Sequence, residues 1–453
     1  MMKRGLAFLC AAALGAGMLS GCGSSDSASA SNEAVDAGSE NEAEQSDSET
    51  ASEDDSEEQI TLEFFNQKVE IVDILDGLFA TYMEEHPNVK IEVVTPSEAS
   101  TVLTTRVANG DVPDIFTHWP KEESYALVDA GAAMDLSDTG VFDNILDSAQ
   151  DVWNTWLERK DIEGEYCATI SYNFSGLWYN KQIFKDAGYE EFPSTWDELL
   201  EACEAISAAG ITPIEIAGLN PGETEQQLYI CMASAMSDDA YSAFIDDSMA
   251  GTVDAASSAY GDELLELGEK LAQLASYAQT DILGTDGESA SADFATGKTA
   301  MFMNGTWKYP TIISANADID CALAPIPGTT AEATKIAAYP GDLGVWVSAS
   351  LEGTKKDAAL ELVKWMASPN FAQSYAEQDG SPSCVEGVDY VAEPLADSYE
   401  SYIATGNYVL NADCNWTAAQ NNAVGSVVQQ LYSDKDSAAF VQNLAEALNS
   451  NLE

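Results

Sequence analysis

Gly297-Lys298-Thr299 has the residue types that close a phosphate-binding loop: a lysine for the phosphates and a hydroxyl for their metal ion. That loop needs another glycine five positions earlier, where Ala292 stands. It must also open a helix, whereas Ala300-Met301-Phe302-Met303 is the compact apolar run of a buried strand. Phosphate chemistry is excluded here, and what remains is a strand that delivers Trp307 beyond an Asn304-Gly305 turn. Other reactive patterns fail in turn. There is no HExxH helix for a zinc hydrolase and no GxSxG elbow for a serine hydrolase. Acidic residues are so abundant that a carboxylate pair suited to glycoside hydrolysis carries no information. The two histidines, His86 and His118, are too few for His-rich metal chemistry, and His86 precedes Pro87 at a helix end, a structural position. No CxxC pair exists; Cys167, Cys203, Cys231, Cys321, Cys384 and Cys414 are widely scattered and are expected to stay mostly unpaired. Neither a metal nor a cofactor is expected.

Composition narrows the partners. Lys and Arg total 18 against 77 Asp and Glu, a formal net charge of -59, which repels nucleic acid and anionic lipid. Lys3 and Arg4 precede an apolar run over residues 6–19, of the length of a secretory signal. The run ends in Leu19-Ser20-Gly21-Cys22, which resembles the lipobox of bacterial lipoproteins, so residues 1–21 read as a cleaved signal and Cys22 as the lipidated N-terminus. Residues 22–59 then form an acidic tether, lacking Lys, Arg and aromatics and so unable to bury enough surface to fold.

The folded region begins near Ile60. Leu62, Phe64 and Phe65 predict a strand, residues 69–83 a helix, 89–93 a strand, 99–109 a helix stopped by Gly110, and 113–116 a third strand. Thr195 or Ser194 caps a further helix. Such alternation predicts an α/β fold with largely parallel sheets. In these sheets ligands sit beyond the carboxyl ends of strands, which points to Asn66-Gln67-Lys68 and to His118-Trp119. Strand periodicity leaves open which of His118 and Trp119 faces the ligand.

Five segments, taken in order, carry a specific resemblance. They are Leu103-Thr104-Thr105-Arg106-Val107-Ala108-Asn109-Gly110-Asp111-Val112-Pro113-Asp114-Ile115-Phe116, then Leu177-Trp178-Tyr179-Asn180-Lys181 running into Pro193-Ser194-Thr195-Trp196, the stretch ending at Trp307, Gly341-Asp342-Leu343-Gly344-Val345-Trp346, and Lys364-Trp365-Met366. Together they resemble the family 1 extracellular solute-binding proteins of ABC importers, the group that includes maltose-binding protein. The resemblance implies a two-lobed periplasmic-binding-protein-like fold with discontinuous lobes. Lobe one would take 60–171 plus 341–377 and lobe two 172–340 plus 378–453, with hinge crossings near Tyr172-Asn173, Tyr339-Pro340-Gly341 and residues 378–382.

The same resemblance implies ligand-binding residues on an interlobe cleft: Asn66, Gln67, His118, Trp119, Asn173, Phe174, Gln226, Tyr229, Trp307, Asp342 and Trp416. A sugar ring offers an apolar face and a rim of hydroxyls, which tryptophan platforms and amide or carboxylate side chains would match. Lys68 and Lys308 are the only nearby cations, which disfavours a phosphorylated ligand. The implied function is capture of a carbohydrate by lobe closure and delivery to permease subunits, by a monomer anchored at the cell surface through Cys22, without catalysis. The alternatives are a polyol or polyamine ligand and, more remotely, a tethered glycoside hydrolase.

Overall fold

Leu62, Phe64 and Phe65 are fully buried in β1 (Ile60–Phe65), as their apolar run requires. The structure, a computed structural model, describes residues 59–97 and 99–452. The signal, Cys22 and tether residues 22–58 lie outside the described residues. After β1 the helix Val72–Glu85 buries Ile74, Leu75, Phe79 and Tyr82 at helical spacing. His86 ends it: its backbone N–H donates to the Tyr82 carbonyl at 2.9 Å and its ring stacks on Tyr82 with centroids 4.1 Å apart.

Ten more strands follow: β2 (Val89–Val94), β3 (Ile115–Thr117), β4 (Cys167–Thr169), β5 (Tyr172–Asn180), β6 (Thr212–Glu215), β7 (Thr299–Gly305), β8 (Cys321–Ala324), β9 (Ile336–Pro340), β10 (Gly344–Val347) and β11 (Tyr408–Leu410). They build two sheets, ordered β2-β1-β3-β10-β4 and β11-β9-β5-β7-β6, with β8 added beside β5. Each sheet and its helices form one lobe. The sheets are mixed rather than largely parallel: β10 runs antiparallel to β3 and β4, and β5 antiparallel to β7, β8 and β9. The reason is connectivity. β10 enters the first sheet on return from the second lobe, so no helical crossover from a neighbouring strand dictates its direction.

Lobe one packs around Phe64, Ile115, Val345 and Leu362, and lobe two around Leu177, Leu228, Met301 and Val424. Val385 and Val388, in the stretch that the resemblance gave to lobe two, pack in the lobe-one core. The chain segments that pass between lobes lie side by side. The backbone N–H groups of Gly341 and Asp342 both donate to the Ser171 carbonyl at 2.9 Å, and that of Tyr172 to the Pro382 carbonyl at 2.9 Å. Gly341 there has φ of 121°, open to glycine and strained for other residues.

The expected Asn304-Gly305 turn is absent. Both residues continue β7, paired with Gly176 and Ser175 of β5, and the chain turns only in the 3-10 helix Thr306–Lys308. Thr195 caps the helix Trp196–Ala208, reciprocated by Glu198. All six cysteines among the described residues are free and buried. Among those residues no helix is long and apolar enough to cross a membrane.

Candidate functional site

A cavity of about 310 Å³ lies between the two lobes. Lobe one supplies its side of the lining from loops just past strand ends. Lys68 and Glu70 follow β1, and Trp119 and Lys121 follow β3. Asn66 builds the first of these loops: its Nδ2 donates to the Lys68 carbonyl at 2.6 Å while its Oδ1 accepts from the Lys68 N–H at 3.1 Å. Lys121 places its ammonium 5.2 Å from the Trp119 ring centroid and 3.3 Å from Asp413 Oδ2, joining the lobes.

Lobe two supplies its side mainly from helices. Gly222, Glu225, Gln226 and Tyr229 lie at i, i+3, i+4 and i+7 of the helix Pro221–Ala235, one face turned to the cavity. Ala418, Asn421 and Asn422 repeat the spacing on the helix Ala418–Asp434, whose N-terminus Thr417 caps in a reciprocal box with Gln420. The two helices are tied where Thr224 Oγ1 donates to the Gly425 carbonyl at 2.8 Å. Trp307 completes the wall from its 3-10 turn; its ring folds back over Gly305, where a Cβ would lie only 2.1 Å from the indole. Asn411, Asp413 and Cys414 follow β11.

The crossings form the floor. Asn173, Tyr339 and Asp342 sit there, with the Lys68 ammonium bonded to Asp342 Oδ2 and 3.8 Å from Glu70. Lys68 and Asp342 are 2% and 3% exposed, so the pair is desolvated. Burial alone would pull the Lys68 ammonium down, but Asp342, Asp379 and Glu70 together hold it well above its ordinary value, so it stays charged. Asp379 is fully buried, and burial pushes its carboxyl up to about 6 against the pull of Lys68. Burial likewise raises the Tyr229 and Tyr339 hydroxyls and the Cys414 thiol far above their usual range, leaving them neutral hydrogen-bonding or packing groups.

Of the residues expected at the site, Trp119, Asn173, Gln226, Tyr229, Trp307 and Asp342 converge on this cavity. The others do not. Phe174 is fully buried in the lobe-two core beside Trp178 and Phe302, because neighbours on a strand face opposite ways and Asn173 takes the cavity side. Trp416 is also fully buried, its Nε1 donating to Ser248 Oγ at 2.8 Å. His118 is 6% exposed with Nδ1 3.0 Å from the Trp119 carbonyl, so Trp119 is the member of that pair on the cavity. Asn66 shapes its loop rather than lining the site, and Gln67 stays behind it, its N–H donating to Thr117 Oγ1 at 2.9 Å. Lys308 pairs with Glu288 at 2.6 Å and is not part of the lining. Lys121, Glu225, Tyr339, Asn411, Asp413 and Asn421 escaped the sequence reading; only Glu225 and Asn421 had a signal, the helical spacing to Tyr229 and to Ala418. Among the described residues no cluster of three His, Cys, Asp or Glu side chains is placed to hold a metal.

Two α/β lobes joined by adjacent crossing segments around a solute-sized, partly aromatic cavity define a two-lobed binding protein. Residues 68–372 match the model of the family described as bacterial extracellular solute-binding protein, and the chain belongs to that family. It is similar to the multiple sugar-binding protein of Streptococcus mutans, 29% identical over 385 residues that cover 81% of this chain and 86% of the relative. A probable sugar-binding periplasmic protein of Rhizobium meliloti is 24% identical over 376 residues, covering 78% and 84%. Among solved structures, the solute-binding protein RafE in complex with raffinose superposes with a TM-score of 0.77 at 26% identity, covering 87% of this chain and 100% of that one. A Bacillus licheniformis sugar transporter in complex with stachyose shares the fold, with TM-score 0.68 and 18% identity over 87% of this chain and 100% of its own.

Proposed function

We propose that this protein is the substrate-binding component of an ABC importer for an oligosaccharide, held at the outer face of the cell membrane by lipid on Cys22 and the acidic tether. The observation that carries this reading is the convergence of Trp119 and Trp307 with the side-chain amides of Asn173, Gln226, Asn411 and Asn421 on one cavity. Indole rings suit the C–H face of a sugar, and the amides suit its hydroxyls. Sugar-binding relatives and the raffinose complex of RafE support the same ligand class. The cavity lies at the lower end of the usual volume for small-molecule sites, which suits a short saccharide. Closure on the sugar excludes water, and the closed form is what permease subunits would recognise.

Binding without catalysis fits two of the four lining carboxylates. Asp342 is tied to Lys68 and Asp413 to Lys121, and a carboxylate locked to an ammonium is unsuited to act as a general acid. The test is a thermal-shift screen of the folded chain over sugars, polyols and polyamines. A ligand at a hundred times its dissociation constant stabilises by about 2.7 kcal/mol. Shifts confined to polyols or polyamines would overturn the sugar reading, and cleavage of an oligosaccharide during the assay would overturn the absence of catalysis.

A further inference from the structure

A second cavity, of about 590 Å³ against about 310 Å³ for the cleft, opens in lobe two at the end of β5 remote from the crossings. The two share no lining residue. Asn173, near the start of β5, lines the cleft floor, and Tyr179, near its end, lines the second cavity, six residues or about 20 Å further along the strand. Pro193, Pro325 and Pro327 stiffen the loops around the opening, so it is preformed. The opposite wall is a π-helical turn, Tyr399–Ile403, in which the Ala404 N–H donates to the Tyr399 carbonyl at 2.9 Å, five residues back. Such turns recur at functional sites, and this one brings Ser401 and Tyr402 to the cavity.

The chemistry of the lining selects the ligand. Tyr179 is half-buried, and its ring is held against Phe192 with centroids 4.6 Å apart. Among the described residues the hydroxyls of Tyr179 and Tyr402 find no hydrogen-bond partner, and unlike those of Tyr82, Tyr339 and Tyr375 they are open to solvent. A ligand can reach them. Glu190, Glu191 and Asp397 outnumber the one ammonium of the lining, Lys181, which already pairs with Glu393 at 3.1 Å. Lys185, outside the lining and 3.2 Å from Glu190, does not reverse that balance, so anions are repelled. Rings and prolines suit no hydrated ion, and carboxylates and hydroxyls suit no lipid chain. What fits is a neutral molecule with an apolar face and a rim of hydroxyls. We propose that this cavity is a second saccharide site, in which the rings of Tyr179 and Tyr402 meet the apolar face of a sugar while their hydroxyls and Asp397 bond its rim. The assignment rests on this cavity's own lining and stands apart from the cleft reading. A saccharide held here stays close to the cleft, which raises its effective concentration there.

The experiment follows the Tyr179 and Tyr402 signals of the folded, tyrosine-labelled chain by NMR while raffinose, stachyose and chitin oligosaccharides are titrated in turn. At least one of them is expected to move both signals saturably, with the same midpoint in the wild type and in Trp307→Ala, whose cleft is impaired. Tyr402→Ala, read at Tyr179, is expected to weaken that binding about tenfold, the effect of losing an aromatic contact, and to leave the affinity of the cleft, read by calorimetry, unchanged. Should Tyr402→Ala not fold, Asp397→Ala takes its place and is expected to weaken the binding about fivefold, as for one lost hydrogen bond. The proposal is overturned if no saccharide moves the two signals, if the folded variant binds as the wild type does, or if only a polyamine such as spermidine moves them. It is equally overturned if the midpoint rises in Trp307→Ala together with that of the cleft, since the shifts are then relayed from the cleft. Sugar binding in the cleft with both signals unmoved leaves the cleft reading standing without this inference; saturable shifts without binding in the cleft do the reverse.

Discussion

The two walls of the cleft are built by opposite means. Lobe one delivers Lys68, Trp119 and Lys121 from loops past strand ends and Glu70 from the 3-10 turn Val69–Ile71, and its lysines are matched by carboxylates on the floor and across the cleft. Lobe two presents amides and aromatics from two helix faces and a 3-10 turn. Loops reach a floor that no helix could approach, but a loop holds its shape only through specific bonds, such as those of Asn66 to Lys68. Helices hold spacing without such help. Lobe one therefore brings its lysines to the floor and rim, while lobe two lines the cavity mostly with neutral groups, Glu225 and Asp413 being its carboxylates.

Four changes would break or sharpen that division. Lys68→Met should have the largest effect, since it strands Asp342, Asp379 and Glu70 around an empty place. Loss of one partner of a buried pair costs about 3–5 kcal/mol, to be read from denaturant unfolding. Unchanged stability would mean that the lobe-one charges are ornamental. Asp379→Asn should act through pH. The folded chain keeps the Asp379 proton up to about 6, above its ordinary 3.8, so this group lowers stability as pH rises through that window and the loss persists above it. The variant escapes the loss, and its stability relative to the wild type should grow as pH rises from 4 to 7. A difference that is flat with pH would contradict this account.

Trp307→Ala tests the reading wall. It is expected to leave the unfolding midpoint near the wild-type value and to cost about 2 kcal/mol of binding, roughly thirtyfold in the dissociation constant. Equal affinity for the bound sugar would remove Trp307 from the site. Gly305→Ala should do less: the new Cβ displaces the Trp307 ring without removing it, for a loss of about tenfold in affinity. A blue-shifted or unmoved tryptophan emission with intact affinity would show that the ring does not rest on Gly305.

Much of the fold was readable because apolar periodicity is local. β1, the helix Val72–Glu85 and β2 follow directly from it. Sheet direction was not readable, since β10 reaches β3 only after the chain has built most of lobe two. The site divides likewise. Tyr229 stands on a helix face whose spacing is visible, and Trp119 follows a recognisable strand. Trp307 lies in the 3-10 turn Thr306–Lys308 that ends β7 and Trp416 just after the 3-10 turn Ala412–Asn415, and nothing local tells that Ser248, far away in sequence, captures the Trp416 indole in the core. Asn411 and Asp413 have no periodic context at all. Phe174 could have been rejected from sequence, because strand alternation forbids it the side that Asn173 occupies.

The late arrival of β10 also has a bearing on how the chain acquires its shape. Between β3 and β4 the first sheet has a gap that only residues 344–347 fill, so a nascent chain that has produced β1 to β4 carries an open seam. The second lobe is interrupted too, because the helix Ala418–Asp434 that packs on Pro221–Ala235 comes near the C-terminus. Neither half can finish alone. Such long-range closure slows folding and keeps strand edges exposed meanwhile. A chain built this way stays pliable until its last hundred residues are made, the state that passage through a narrow translocation pore would require.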